Sequence, residues 1–432
     1  MPRLLRRWAP VLPVLLVLVL IGLPGMPASS ATPADAACAL LVGCAVVSAV
    51  RRASRPLTRS AAIVLGAPVI GIAVAVAGAP TAAEGLTGMG RYLQVFVLVP
   101  AAMVLLLRDR RDARLVAWAM VALALWEGGV GVHQYLTATG ASYQGEYIRA
   151  VGTFGPTDVM GMSAVVSYGL VTAAALALGT RERTPRLIAT GCALALLAPL
   201  GMSFSRGSWI ATTAACLALL LLGGLRRAAT VLVTVVAALV VLVGGLGFGT
   251  AMMQERIDSI TQVSAAPDQS VMDRYALWSA ARAMWAEHPV VGVGLRDFPA
   301  HRDGHAPLAL DSASDTEGAG RAYYRQPLLS PHNMYLLILS EQGLLGLVTM
   351  AGSWLALLVG ALRRLHAHRG AGRDCALAAC GLLVWQILDF GYADIGGAST
   401  TLTALGFGLA AWWALSPAAA PTGAPRVSEA PR

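Results

Sequence analysis

The stretch RDRRDARLVAWAMVALALWEGGVGV, Arg108–Val132, sets a cluster of arginines against an apolar run that begins at Ala113. That run is close to the ~20 residues an α-helix needs to cross the hydrocarbon core of a bilayer. Arginines of this kind, next to a spanning run, mark the cytoplasmic side of a membrane segment. The same unit recurs along the chain. Apolar runs lie near 8–25, 35–50, 59–80, 90–107, 113–132, 158–180, 187–204, 207–224, 228–249, 332–362, 375–391 and 398–415. The expected fold is an all-α polytopic membrane protein of about twelve transmembrane helices. The tenth run is too long for a perpendicular crossing and predicts a tilt or a part outside the hydrocarbon.

Composition agrees. The 432 residues are 56% hydrophobic and 13% charged, about half the charged fraction of a soluble domain. The net charge of +9 is carried by arginine alone, with no lysine in the chain, which suits a GC-rich bacterial genome. Where the arginines fall argues against nucleic acid. Arg3, Arg6 and Arg7 precede the first span, and Arg51, Arg52, Arg55 and Arg59 follow the second. Arg181, Arg183 and Arg186 follow the sixth, Arg226 and Arg227 the eighth, and Arg363, Arg364, Arg369 and Arg373 the tenth. Drawn as about twelve spans, every cluster falls on one side and both termini are cytoplasmic. The start, MPRLLRRW followed by a short apolar run and PASSATPADAA, reads as an uncleaved first helix, a cleaved signal peptide being the alternative.

The domain reading is then 1–249 for spans one to nine, 250–331 for a large extracytoplasmic loop, 332–416 for the last three spans and 417–432 for a disordered cytoplasmic tail. A polar loop of that length predicts function. Cys38, Cys44, Cys192, Cys216, Cys375 and Cys380 lie in or beside apolar runs without ligand spacing, so neither disulfides nor a metal site is expected.

The chemistry-bearing groups gather on the outer face. MDRYALWSAARAMWAEHPVVGVGLRDF carries Arg274, Trp278, Arg282 and Trp285 at helical spacing, then Arg296 and Asp297 after a GVG turn. It reads as an amphipathic helix at the membrane interface with its tryptophans against headgroups. Arg206, in MSFSRGSW, sits where the seventh span turns into the eighth, and an arginine there is costly unless paired or facing water. In SPHNMYLLILSEQGLLGL, Ser330 reads as a helix cap and Pro331 as the first helical residue. That places His332 and Asn333 in the first turn, where the helix dipole favours a neutral imidazole. Such an imidazole is suited to take a proton from a hydroxyl. Glu341 falls roughly 13–14 Å further along the axis and on the opposite face. Its role is open between a bundle contact and the floor of a cavity.

The ordered set GTFGPTD, SRGSW, DRYALWSAARAMWAEHPVVGVGLRDF and PHNMYLLILSEQGLLGL resembles the O-antigen ligase and polymerase superfamily, over about residues 90–415. The resemblance implies a GT-C-like, metal-independent, inverting glycosyltransferase without a cofactor. It would move a glycan from an undecaprenyl diphosphate carrier to an acceptor hydroxyl, at the outer face of a bacterial inner or plasma membrane. The acceptor would be a glycan, lipid or protein, in surface polysaccharide biosynthesis. By motif it gives Arg206 and Arg274 to the diphosphate and His332 to acceptor activation. Asn333, Arg296, Arg282, Trp278 and Glu341 are the candidate substrate-binding residues around them. One departure is Thr157 and Asp158, where the family pattern carries asparagine. The alternatives are a transporter, either a lipid-linked sugar flippase or a small-anion carrier, and a peptidoglycan polymerase working through Asp297 or Asp303.

Overall fold

The computed structural model describes residues 10–24, 32–52, 57–143, 146–155, 158–224, 269–307, 328–367, 372–397 and 399–419, with the isolated residues 233, 237 and 310. Most of the expected span at 228–249, much of the long loop and the tail from residue 420 lie outside the described residues. Before the gap, the chain forms α1 (Leu12–Ile21), α2 (Pro33–Arg52), α3 (Arg59–Val76) and α4 (Ala82–Leu106). It continues through α5 (Arg110–Thr137), α6 (Gly161–Gly179), α7 (Arg183–Met202) and α8 (Arg206–Gly223). After it come α9 (Gln269–Glu287), α10 (Phe298–His305), α11 (Met334–Ala367), α12 (Arg373–Asp389) and α13 (Thr400–Leu415). A two-stranded hairpin, β1 (Ala141–Tyr143) and β2 (Glu146–Arg149), follows α5. Eight of these helices are long and apolar enough to cross a bilayer, and α1 and α13 are shorter apolar helices. The protein is polytopic.

Side chains set the helix starts. Thr58 Oγ1 accepts from the Ala61 amide at 3.2 Å, and Asp109 Oδ1 accepts from Arg111 and Asp112 at 2.8 and 3.0 Å. Each such cap contributes about 1 kcal/mol. Inside the bundle α6 is the central helix, buried almost throughout, and it packs on α5, α7, α8 and α12. Its small residues let backbones approach closely, as membrane helices require. Some of the polar groups at its contacts pair across the bundle: the Tyr168 hydroxyl donates to Gln386. Nearby, Trp385 Nε1 donates to Thr212 Oγ1 at 3.0 Å.

Arginines gather the helix ends at one pole. Arg114 pairs with Asp374, Arg110 donates to the Ala419 carbonyl at 3.1 Å, and Arg364 donates to Trp413 and Ser416 carbonyls at 2.8 and 2.6 Å. Arg373 donates to Leu222 at the end of α8, also at 2.6 Å. Guanidinium groups here satisfy the last carbonyls of α8 and α13, which the helices themselves leave unpaired.

The long tenth run resolves differently from a simple tilt. Helix α11 is broken at Gly343, whose φ of 64° and ψ of −164° lie outside any helix. The segment Pro289–Leu295 inserts at the break. Val293 and Gly294 amides donate to Ser340 and Glu341 carbonyls at 2.8 and 3.1 Å. Leu344 and Leu345 amides donate to Pro289 and Val290 carbonyls at 2.9 and 3.1 Å. The inserted backbone thus replaces the helical bonds the break removes, the condition for irregular backbone at membrane depth. A Cβ at Gly343 would collide with Val290. Gly343→Val therefore lowers stability by more than about 3 kcal/mol, combining a positive φ with overpacking. Thermal unfolding in detergent checks this; a Tm within about 1 °C of wild type contradicts the account.

Candidate functional site

At the pole opposite the arginines, Ser330–Asn333 is fastened to the turn that follows α12. The Met334 amide donates to Phe390 and Ala393 carbonyls at 2.8 and 3.1 Å, and Asn333 Nδ2 donates to the Gly391 carbonyl at 3.1 Å. The Ser330 hydroxyl donates to the Asp394 carboxylate. From above, Trp278 Nε1 of α9 donates to the Pro331 carbonyl at 2.9 Å.

This geometry corrects the expected helix start. Helix α11 begins at Met334, and the cap is Asn333, whose Oδ1 accepts from the Leu336 amide at 3.1 Å. Ser330 is committed to Asp394 instead. His332 lies just outside the helix with a φ of 48°, the left-handed region that costs a non-glycine residue about 1–2 kcal/mol. Strain of this kind persists only where surrounding contacts impose it, and it clusters at functional sites. Here the bonds to Pro331, Asn333 and Met334 impose it.

The His332 ring is recessed: protein packs closely around it, yet 42% of its side-chain surface stays open to solvent. Burial holds the imidazole below its ordinary range; the Asp394 carboxylate opposes that shift and the Arg274 guanidinium adds to it. His332 Nδ1 lies 4.0 Å from Asp394 Oδ2, too long for a hydrogen bond but close enough to stabilise an imidazolium once formed. Arg274 also acts electrostatically on Asp389, the last residue of α12. The structure thus brings His332, Arg274, Asp389 and Asp394 together from α9, α11 and the turn after α12.

Arg206 is the first residue of α8, capped by Ser205, whose Oγ accepts from the Ser208 amide at 3.4 Å. Phe204 before it has a φ of 50°. A cation at the positive end of a helix is unfavourable by about 0.3–1 kcal/mol. The next residue, Gly207, faces Tyr392 so closely that a Cβ would sit 3.3 Å from the tyrosine Cβ. The start of α8 therefore abuts the same Phe390–Asp394 turn that holds His332.

A further segment supports this arrangement. Gln134 Oε1 accepts from Val151 and Gly152 amides at 3.0 and 2.9 Å, and Glu127 accepts from the Thr153 amide and hydroxyl at 2.9 and 2.7 Å. Both acceptors project from α5 and clamp the GTFG segment. Arg149 of β2, 8% exposed, donates to the Ser203 carbonyl at 3.1 Å behind the Arg206 turn. Asp158 lies against Gly397, beyond Asp394.

The other expected site residues are spread more widely. Arg282 is exposed on α9, more than two turns from Arg274. The tryptophans of α9 also fasten protein, since Trp285 Nε1 donates to the Pro289 carbonyl at 3.2 Å. The buried stripe of α9, Ala276, Leu277, Ala280, Ala281 and Met284, faces the protein, while Met272, Tyr275 and Arg282 face outward. Arg296 is exposed on the turn after the inserted segment, its stem beside Gly88 of α4. Glu341 is buried below it, 3% exposed.

Sequence reasoning passed over Asp389, Asp394 and Arg149. The carboxylates carried a usable signal, being acidic residues in the short link between two apolar runs on the outer side. Arg149 carried none, because its burial depends on the hairpin folding back over Ser203.

Compared with known families, residues 191–351 match the family model described as O-Antigen ligase. The resemblance read from the motifs is thus found again across a little over a third of the chain. Every expected site residue from Arg206 to Glu341 lies inside the matched interval, whereas Asp389 and Asp394 lie beyond it. No curated protein matches the chain.

Proposed function

We propose that this protein transfers a glycan from an undecaprenyl diphosphate carrier to an acceptor hydroxyl at the outer face of a bacterial plasma membrane. The observation that carries the reading is the convergence of His332, Arg274, Asp389 and Asp394, with the Arg206 turn beside them, at the pole opposite the arginine-rich loops. By the positive-inside rule that pole is extracytoplasmic. The acceptor O–H gives its proton to neutral His332 as its oxygen bonds to the anomeric carbon. The bond from that carbon to the carrier phosphate breaks on the opposite face, inverting the centre. Arg206 and Arg274 receive the charge that develops on the departing diphosphate, as preorganised cations in a low-dielectric site do. Asp394 stabilises the imidazolium.

The base must be neutral to act. Since burial holds the His332 imidazole below its ordinary range, transfer declines on the acid side as the ring protonates, at a lower pH than an ordinary histidine would set. A kcat/KM profile reads this free-enzyme group. An acid limb with its midpoint above pH 7 contradicts the role.

A transport reading is favoured by one observation, the break in α11 with Glu341 and Gln342 buried beside it. Among the described residues the Gln342 amide atoms have no hydrogen-bond partner, and broken helices carry many transport sites. Deleting the gene separates the two readings. Transfer predicts that the intact lipid-linked glycan accumulates on the outer leaflet while the mature surface polymer is lost or shortened. Accumulation confined to the inner leaflet supports transport instead.

A further inference from the structure

The break in α11 creates a contact that the transfer chemistry above does not use. Glu341, the second residue before Gly343, projects towards the turn that follows the inserted segment. Its Oε1 accepts from the Phe298 amide at 3.4 Å, and the Arg296 amide acts on the same carboxylate. Leu295, just before them, donates its amide to the Ala75 carbonyl at the end of α3, at 3.0 Å. Residues 295–298 are therefore held on two sides, by α3 and by one buried side chain of α11.

Arg296 lies within that turn at a φ of 63°, a conformation that needs outside support in a residue with a side chain. The Leu295 amide bond to Ala75 on one flank and the Phe298 amide bond to Glu341 on the other provide it. The result is an exposed guanidinium on a rigid backbone, instead of on a mobile loop. Two glycines are required for the approach: a Cβ at Gly292 would collide with the Glu341–Gln342 peptide, and one at Gly294 with the Gly78 carbonyl. Glu341 also lies within electrostatic range of Asp394, the neighbour of His332. The turn and the His332 site thus flank one buried carboxylate.

We propose that Glu341 is a positioning residue, which fixes the 295–298 turn so that Arg296 binds the anionic head of the lipid-linked donor. This rests on the glycan-transfer reading. It assigns Glu341 no contact with the reacting atoms. Because the role is that of an acceptor at a set reach, it depends on side-chain length more than on charge. Glu341→Gln keeps an acceptor oxygen at the same reach. Glu341→Asp keeps the charge but withdraws the oxygens by about one carbon–carbon bond, ~1.5 Å, beyond hydrogen-bond range of the Phe298 amide.

The test is steady-state transfer by the full-length protein in proteoliposomes, with an undecaprenyl diphosphate-linked glycan as donor. Arg296→Ala and Glu341→Asp should each raise the donor KM about tenfold with kcat within about threefold of wild type, a tenfold change being the scale of one such contact. Glu341→Gln should stay within about threefold on both constants. The double variant Glu341→Asp/Arg296→Ala should be no worse than either alone, because both remove one contact. Multiplying effects in the double variant, a wild-type donor KM in Glu341→Asp, or a loss confined to kcat would each overturn the assignment. A merely structural carboxylate would give multiplying effects. Should Glu341→Asp fail to accumulate in the membrane, Glu341→Gln still decides, since its failing to support transfer also overturns the proposal. If His332→Ala transfers at the wild-type rate, the transfer reading fails first. If that variant is inactive and Glu341→Asp is normal, only the Glu341 assignment falls.

Discussion

His332→Ala should lose glycan transfer by about 10²–10⁴-fold, the range a positioned general base supplies, with the protein still inserted and folded. The ring is recessed with one open edge and is not part of the packed core, so its loss leaves no large apolar cavity. The left-handed backbone at position 332 is set by bonds from Trp278, Asn333 and Met334, none of which uses the imidazole. Alanine is strained there by about the same amount as histidine. The expected signature is therefore a collapse in kcat with an unchanged Tm. Single-turnover transfer and a thermal unfolding curve on the same preparation check both halves, and near-wild-type turnover excludes the base.

The second large effect concerns the cations. Arg206→Lys should lower transfer by about 10²-fold or more, although charge is conserved. A guanidinium presents a rigid planar fork that matches two phosphate oxygens, while an ammonium is a point charge on a flexible stem. At Arg206 the stem starts from the first residue of α8, on a turn fixed by Ser205 and backed by Arg149, so a lysine cannot recover the geometry by moving its backbone. Removing preorganised stabilisation of developing charge costs 10²–10³-fold in comparable sites. The measurement is kcat with saturating donor. A lysine variant within about threefold of wild type would show that Arg206 supplies only bulk positive charge.

These outcomes rest on features of unequal legibility. The spans were readable because the bilayer imposes a length and because arginine clusters punctuate the chain. The helices at Arg110–Thr137, Gly161–Gly179 and Arg206–Gly223 begin and end within a few residues of their apolar runs. The tight turn carrying Arg206 was readable for the same reason. The start of α11 was misplaced by a few residues: Ser330 and Pro331 have the chemistry of a cap and a first turn, but Asp394 claims the serine and Asn333 does the capping. The break at Gly343 was hidden because a single glycine within a helical pattern reads as one the helix tolerates. What breaks the helix is a distant segment, Pro289–Leu295, supplying backbone partners. Glu341 could not be interpreted for the same reason, since its acceptor role exists only once that segment is inserted. Local patterns reveal which residues enter the membrane, whereas contacts between distant segments decide what the polar ones do there.

The most direct test of the central claim is reconstitution of the purified protein in proteoliposomes with an undecaprenyl diphosphate-linked glycan and a panel of acceptor glycans, lipids and peptides. Glycan transfer predicts a new glycosidic bond of inverted configuration and release of free undecaprenyl diphosphate in equal amount, both lost in His332→Ala. Passage of the intact lipid-linked glycan from one leaflet to the other, with no new glycosidic bond and no carrier released, would contradict it.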